Sequence, residues 1–170
     1  MLCDLDGVIW LAHQPIPGAV AGVARLRATG RRVVFVTNNS GARLGDQEAA
    51  LAAIGIPADG DVLTSAMAAA ALVDPGARVL ICGGPGITEG VLARGAVPVA
   101  GDDPEGVSVD VVMVGFHREF DYERMRIAAT AARDGARLIG PVGVGYVTSS
   151  FVPIKRAPSR AAVAAMRIRS

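Results

Sequence analysis

The chain has 170 residues, of which 51% are hydrophobic and only 4% aromatic, and its formal net charge is +1. This length suffices for one compact domain or for a small core with a second unit, and the composition excludes a disordered chain. A nearly neutral charge gives no argument for binding nucleic acid or an anionic membrane surface, which need a concentrated positive field. We therefore expect neither nucleic acid nor a membrane as partner.

The two cysteines, Cys3 and Cys82, stand far apart and lack the spacing of metal ligands. This predicts neither a disulfide framework nor a zinc site. No apolar run approaches the roughly 18 residues that span a bilayer, and no signal-peptide pattern precedes Asp4. We therefore expect a soluble, cytoplasmic protein.

The first part of the chain alternates strand and helix patterns. A short apolar strand, MLCDL, is followed by a helix that ends at Gly30 and by the β-branched run RRVVFVTNNS, which is typical of a strand buried on both faces. A second helix over 45–54, a short strand in DVLT and an Ala-rich stretch complete a β-α-β-α-β-α pattern. This alternation predicts a parallel sheet whose active surface lies at the carboxyl ends of its strands.

A second α/β pattern follows the boundary DPGA, with strands in ARVLICGGPG, VDVVMVGFH and ARLIG and helices in TEGVLARG and DYERMRIAATAARDG. We predict a core over 1–74, a second α/β unit over 75–152 and a divergent basic tail over 153–170 with a short helix over 161–167. The spacing of CGGPG does not fit a dinucleotide fingerprint and favours a tight turn. A nucleotide-binding module remains a third hypothesis, which would require binding that survives loss of Asp4 and Asp6.

Two carboxylates, Asp4 and Asp6, stand where the first strand ends. The tetrapeptide Asp-Leu-Asp-Gly alone is more typical of a solvated turn. Chemically, a carboxylate nucleophile suits phosphorus, because an acyl phosphate divides one hard displacement into two steps while a neighbouring acid protonates the leaving oxygen. Such a site is usually completed by Mg²⁺, a hard cation that prefers oxygen ligands.

Hydroxyl and amide groups follow the neighbouring strand, in Thr37, Asn38 and Asn39. An ordinary strand end with a helix N-cap at Asn39 or Ser40 explains this stretch equally well when it is taken alone. The carboxyl ends of adjacent parallel strands meet at one edge, however, so the two motifs together indicate a phosphate site.

With DLDGVIW at 4–10, VTNNS at 36–40 and TSA at 64–66, the chain resembles the haloacid dehalogenase superfamily of phosphohydrolases, specifically the nitrophenylphosphatase-like subclass IIA. The resemblance extends through VVMVGFHREFDYERM and GARLIG, to about residue 140. It implies an α/β fold: a Rossmann-like parallel-sheet core, incomplete here, with an inserted α/β cap domain.

The resemblance also implies a role for each matching residue. Asp4 would be the nucleophile and a Mg²⁺ ligand, and Asp6 the general acid and base, with its backbone carbonyl on the same ion. The remaining residues that would contact phosphate or position substrate are Gly7, Val8, Thr37, Asn38 and Asn39.

The sequence departs from the family pattern in its last part. The family's later lysine and its acidic Gly-Asp-x-x-x-Thr-Asp run are not found; Lys155 is the only lysine, and GPVGVGYVTSS stands where an Asn-rich turn is expected. A shortened paralogue and a frame change near residue 140 both explain this, and the Arg, Ala and Pro enrichment of the ending favours the second. An incomplete sheet would expose a flank of its first strand, which predicts low stability, a homodimer or a partner chain.

The leading hypothesis is a Mg²⁺-dependent phosphatase that acts on a small phosphorylated metabolite through an aspartyl-phosphate at Asp4. The alternative is a catalytically defective remnant that binds a phosphorylated ligand or a partner chain without turnover. Three side chains outside the motifs have open roles. Trp10 either walls the substrate entrance or packs under the loop that follows it. Cys3 is expected to be a small buried hydrophobe without a stabilised thiolate, and His117 is either a surface residue or faces substrate.

Overall fold

A computed structural model describes residues 1–103 and 108–140. Its nine strands and five helices in that part of the chain confirm the predicted mixed α/β class. The predicted tail over 153–170, Lys155 and the end of the second unit lie outside the described residues. The strands are β1 (Leu2–Asp4), β2 (Trp10–Leu11), β3 (Gln14–Pro15), β4 (Val34–Thr37), β5 (Val62–Thr64), β6 (Arg78–Cys82), β7 (Val97–Ala100), β8 (Val111–Val114) and β9 (Arg137–Ile139). The helices are α1 (Ala19–Ala28), α2 (Leu44–Ala53), α3 (Ser65–Ala70), α4 (Pro85–Ala93) and α5 (Tyr122–Arg133).

The first sheet contains three parallel strands in the order β1-β4-β5. Asp4 is aligned with Val36, and Thr37 with Thr64. Its apolar residues pack with those of α1 and α2 around the fully buried Phe35 and Leu51. The predicted β-α-β-α-β order of this part of the chain is confirmed.

A two-stranded hairpin of β2 and β3, which the sequence analysis did not predict, follows the first strand. Trp10 pairs with Pro15, and the turn between the strands holds Ala12 and His13 at φ values of 48° and 63°. Strands of two residues are too short to show a period of two. A left-handed turn built without glycine also lacks the usual sequence signal of a hairpin.

The second sheet is a parallel arrangement of four strands in the order β7-β6-β8-β9. Helices α3 and α4 contribute to the apolar cluster on one face, and α5 to the cluster on the other. Strand β7 was not predicted, because Pro98 interrupts its pattern. Pro98 is tolerated because β7 pairs only with β6 in the described part of the sheet.

Helix α3 links the first sheet to the second. Although it follows β5, its residues Ala66 and Ala69 belong to the same buried cluster as Ile81 and Met113 of the second sheet. A Cβ on Gly90 of α4 would stand 3.1 Å from the Ala70 Cβ, so the two helices are in close contact. The predicted division of the chain at residue 74 remains a prediction.

The glycine-rich stretch after β6 packs closely against a loop of the first unit. A Cβ on Gly84 would stand 2.7 Å from the Gly41 carbonyl oxygen, and one on Gly86 would stand 2.1 Å from the carbonyl oxygen of Ala42. The Gly86 N–H donates to the Gly41 carbonyl at 3.0 Å. Backbone from the loop after β4 therefore occupies the space that side chains would fill at Gly84 and Gly86.

Strand β1 is paired on one side only among residues 1–103 and 108–140, where β4 is its single neighbour. Met1 and Leu2 are 57% and 56% exposed. The open flank that the sequence analysis expected is present in this part of the molecule. Low stability and self-association remain predictions.

Across the described ranges, none of the helices combines the length and apolarity that crossing a membrane would require.

The close approach at Gly86 predicts a large effect of a single methyl group. Gly86→Ala should lower the free energy of unfolding by about 1–3 kcal/mol, because the backbone of Ala42 must move to admit a Cβ. The matched control is Gly22→Ala in α1, where a Cβ meets nothing within 4 Å. In that variant the free energy of unfolding should rise by about 0.5–1 kcal/mol. Urea unfolding of both variants measures the difference, and equal effects would contradict the contact.

Candidate active site

The ends of β1 and β4 place the two sequence motifs side by side. The strands are parallel neighbours, and since Asp4 is aligned with Val36, Thr37 lies one residue beyond it along β4. Paired strands run about 4.8 Å apart, so the loops that follow leave the sheet from the same edge. The carboxylate motif and the Thr-Asn-Asn motif are therefore neighbours in space.

The turn after β1 buries its apolar residues and exposes its carboxylates. The carbonyl oxygen of Leu5 accepts hydrogen bonds from the backbone N–H groups of Val8, Ile9 and Trp10 at 2.9 to 3.3 Å. Leu5, Ile9 and Trp10 are at most 2% exposed, and Val8 is 48% exposed. The apolar anchors hold a helical turn closed, and the side chains of Asp4 and Asp6 remain at the surface.

Individual polar groups of this turn have distinct partners. Asp4 Oδ1 accepts from the Leu5 N–H at 2.9 Å, and Asp6 Oδ1 accepts from Trp10 Nε1 at 3.0 Å. The Gly7 N–H donates to the Trp10 carbonyl at 2.8 Å, and Gly7 adopts a φ of 84°. The family resemblance implies a role for the backbone carbonyl of Asp6 but none for its N–H. Its N–H and carbonyl have no hydrogen-bond partner in the part of the chain that the structure describes, so both remain available to a ligand.

The loop after β4 is shaped by its own side chains. Thr37 is 6% exposed, and its Oγ1 accepts from the Asn39 N–H at 3.1 Å. Asn39 Oδ1 accepts from the N–H groups of Gly41 and Ala42 at 3.0 and 3.3 Å. Thr37 and Asn39 therefore hold the turn, while the side chain of Asn38 is exposed at its tip.

The alternative of a helix N-cap at Asn39 or Ser40 is wrong. Helix α2 begins at Leu44 with Arg43 as its N-cap residue, and the Leu44 N–H donates to Glu89 of α4 at 2.8 Å. The buried Ser40 has another partner, because its Oγ accepts from the Phe116 N–H at 3.0 Å. The loop after β4 is thus held against the second sheet.

Helix α3 also contacts this loop. Ser65, in the TSA motif, donates its hydroxyl to the Asn38 carbonyl at 2.9 Å. Thr64 caps α3, its Oγ1 accepting from the Met67 N–H at 3.2 Å. The TSA motif at 64–66, where β5 passes into α3, therefore supports the VTNNS motif at 36–40.

A cavity of about 460 Å³ lies beside Asn39, between the loop after β4 and the second unit. The side chains on its second-unit side include both signs of charge, from Arg118 and Glu119, together with His117. His117 Nδ1 accepts from the Glu119 N–H at 2.9 Å. The lining residues are Asn39, Gly41, Ala42, Gly83, Gly84, Pro85, Phe116, His117, Arg118 and Glu119.

The oxygen atoms at this edge suit a hard divalent cation. The exposed carboxylate of Asp4 and the unpaired carbonyl of Asp6 are ligands of the kind that Mg²⁺ prefers. Within residues 1–103 and 108–140 no group of three or more His, Cys, Asp or Glu side chains could hold a metal. Mg²⁺ commonly takes only one or two carboxylates and keeps water and phosphate as its other ligands, so the residues present fit it.

The two cysteines are not activated nucleophiles. Burial and, secondarily, the Asp4 charge raise the pKa of the Cys3 thiol above its usual value. Burial raises the pKa of Cys82 to about 11, although Arg124 opposes this. The raised pKa of Cys3 agrees with the expectation that no thiolate is stabilised there, but the expectation that Cys3 is buried is wrong, because its side chain is only half-buried.

Comparison with protein families identifies residues 1–97 as a match to a family described as haloacid dehalogenase-like hydrolase. Among curated proteins, an acid sugar phosphatase from Staphylococcus saprophyticus is 34% identical over 81% of this chain and 53% of its own length. A D-glycerol 3-phosphate phosphatase from Mycobacterium tuberculosis is 37% identical over 80% of this chain and 38% of its own. The chain thus spans about half the length of such relatives or less.

A solved structure agrees with these sequence matches. The glycerol phosphate phosphatase of Mycobacterium tuberculosis, crystallised in complex with magnesium, superposes with a TM-score of 0.73 at 34% identity. The superposition covers 83% of this chain and 42% of the other. At this identity the likeness extends beyond fold to the family.

The raised pKa of Cys3 gives a direct test of the Asp4 position. Asp4→Asn removes a negative charge that disfavours the thiolate, so the pKa of Cys3 should fall and its alkylation at pH 8 should become faster. Mass spectrometry of Cys3 peptides after timed iodoacetamide exposure, without divalent metal, measures this rate. Cys82 should stay unreacted in the folded protein, and Asp59→Asn should leave the Cys3 rate unchanged. An unchanged rate in Asp4→Asn would place that carboxylate away from the thiol.

Proposed function

The chain belongs to the haloacid dehalogenase-like hydrolases, and on that premise we propose that it is a Mg²⁺-dependent phosphatase that hydrolyses small phosphomonoesters through an aspartyl-phosphate at Asp4. The observation that carries the proposal is the position of two exposed carboxylates at the same sheet edge as the Asn38 side chain. The relatives named above act on small phosphorylated compounds, glycerol phosphate and acid sugars, which supports the same substrate class here.

The first step of the proposed reaction forms a covalent bond to the enzyme. A carboxylate oxygen of Asp4 attacks phosphorus, the bond between phosphorus and the substrate oxygen breaks, and Asp6 gives a proton to that oxygen. In the second step water attacks the same phosphorus while Asp6 takes its proton. Inorganic phosphate then leaves, and Asp4 is restored as a carboxylate.

The other residues of the edge bind and orient the phosphoryl group. The N–H of Asp6 and the side-chain amide of Asn38 are donors without partners in the described structure. The family resemblance implies that the backbone of Gly7 and Val8 contacts the phosphate. The Gly7 N–H already donates to the Trp10 carbonyl at 2.8 Å, whereas the Val8 N–H donates to Leu5 at the longer distance of 3.3 Å. Val8 is therefore the more available donor. Thr37 acts mainly by holding the Asn38 turn in place.

Mg²⁺, held by the Asp4 carboxylate and the Asp6 carbonyl, would neutralise charge between carboxylate and phosphate and polarise the phosphoryl group. The cavity beside Asn39, at about 460 Å³, is within the size range of small-molecule sites. We assign it to the leaving group of the substrate, with His117 and Arg118 on its far side.

A second candidate function rests on the small number of charged groups at this edge of the sheet. Among residues 1–103 and 108–140 the site has only two carboxylates, and the single lysine of the chain, Lys155, lies outside that part. A chain with only these groups would bind phosphate or a partner chain without turning it over. Binding and turnover are therefore measured separately.

The experiment is phosphate release from glycerol phosphate and p-nitrophenyl phosphate by the purified full chain, with Mg²⁺ or with a chelator. Asp4→Asn should reduce the rate by at least about 10³-fold, because the nucleophile is removed. Asp59→Asn, which changes an exposed aspartate far along the chain, should leave the rate unchanged.

The second candidate would be favoured if the folded chain binds phosphate but releases none from the substrates, and if Asp4→Asn abolishes that binding. Release that persists in Asp4→Asn would contradict the nucleophile assignment, and absence of both release and binding would contradict both candidates.

A further inference from the structure

One hydrogen bond of the site has no role in the mechanism above. Trp10 Nε1 donates to Asp6 Oδ1 at 3.0 Å. The indole is 1% exposed, and a buried indole N–H requires an acceptor, since nitrogen in this ring can only donate. The acceptor is the exposed carboxylate that the proposed function uses as acid and base.

The indole is fixed by more than this bond. Trp10 belongs to the apolar cluster that includes Leu5, Ile9 and Phe35, and its carbonyl accepts from the Gly7 N–H. Its ring also lies 4.9 Å from that of His13, centroid to centroid. A side chain held by a sheet core and a hairpin is a rigid support for a surface carboxylate.

We propose that Trp10 is a positioning residue, which holds Asp6 Oδ1 through its indole N–H so that Asp6 Oδ2 is the oxygen that exchanges a proton with substrate and water. The positioning role rests on the proposed function; the pairing itself does not. Because Oδ1 must accept from the indole, a proton carried by Asp6 lies on Oδ2, which has no partner in the described structure. The bond also fixes the rotamer of Asp6, since the indole cannot follow a rotation of the carboxylate.

The pairing is tested without any activity measurement. Trp10 is the only tryptophan in the chain, so a ¹⁵N-labelled sample shows a single indole cross-peak. In Asp6→Ala the indole proton should shift upfield and exchange faster with solvent, because its acceptor is gone. Asp4→Ala, which removes the other carboxylate of the turn, should leave the cross-peak close to its original position. An indole cross-peak unmoved by Asp6→Ala would overturn the proposal.

The positioning role is tested by the choice of leaving group. Trp10→Phe keeps an aromatic ring and removes the N–H. An alkoxide leaving group needs a proton from Asp6, whereas p-nitrophenolate leaves without one. Because the second step is common to both substrates, the first step is followed through kcat/KM. We expect kcat/KM for glycerol phosphate to fall about 10- to 100-fold and kcat/KM for p-nitrophenyl phosphate to fall less than about threefold.

Equal losses of kcat/KM on the two substrates would show a structural role only and overturn the positioning role. Should Trp10→Phe not fold, the comparison is made with Asp6→Asn, which keeps an acceptor for the indole but cannot supply the proton. Its cross-peak should stay near that of the native chain while turnover of glycerol phosphate is lost. If the native chain releases no phosphate, the proposed function fails, and the cross-peak in Asp6→Ala still decides the pairing.

Discussion

The parallel pairing of β1 with β4 is the constraint on which the site depends. It aligns Asp4 with Val36 and so brings the loops after both strands to one edge of the sheet. A shift of one residue in this register would turn the side chains of β4 to opposite faces, and Phe35 would leave the core that it shares with Leu51. Burial of Phe35 and placement of Asn38 are therefore set by the same register.

Hydrogen bonds with the second unit hold the loop after Asn38 from the other side. The Ser40 hydroxyl accepts from the Phe116 N–H, and the Gly41 carbonyl accepts from the Gly86 N–H. Glu89 of α4 accepts from the first N–H of α2. These bonds join the loop after β4, the proposed phosphate-binding loop, to the second sheet, next to the cavity.

The sequence pattern was sufficient to predict an element where one type of residue dominates a segment. The β-branched run before Thr37 predicted a buried strand, and β4 lies in the middle of its sheet. The glycines at 83, 84 and 86 predicted a tight turn. They did not predict that backbone from Gly41 and Ala42 would pack against it, because that contact joins segments more than 40 residues apart. Strand β7 was missed because Pro98 interrupts its apolar pattern, although a strand paired on one side tolerates a proline.

The polar contacts of the site were the least predictable part. That Asp4 and Asp6 would stand together at a strand end followed from their spacing. The partner of each oxygen depended on the rotamers of Asp6 and Trp10, which no pattern of residue types determines. The two interpretations of Trp10, as a wall of the entrance and as packing under the next loop, did not include its hydrogen bond to Asp6.

Binding of inorganic phosphate in the presence of Mg²⁺, followed residue by residue through the backbone amide resonances of the full chain, tests the central claim most directly. If the two strand ends form one phosphate site, the amides of Asp6, Val8 and Asn38 will shift together with a single dissociation constant, and Asp4→Asn will weaken all three responses alike. Shifts confined to one of the two loops, or different constants for the two, would contradict a shared site.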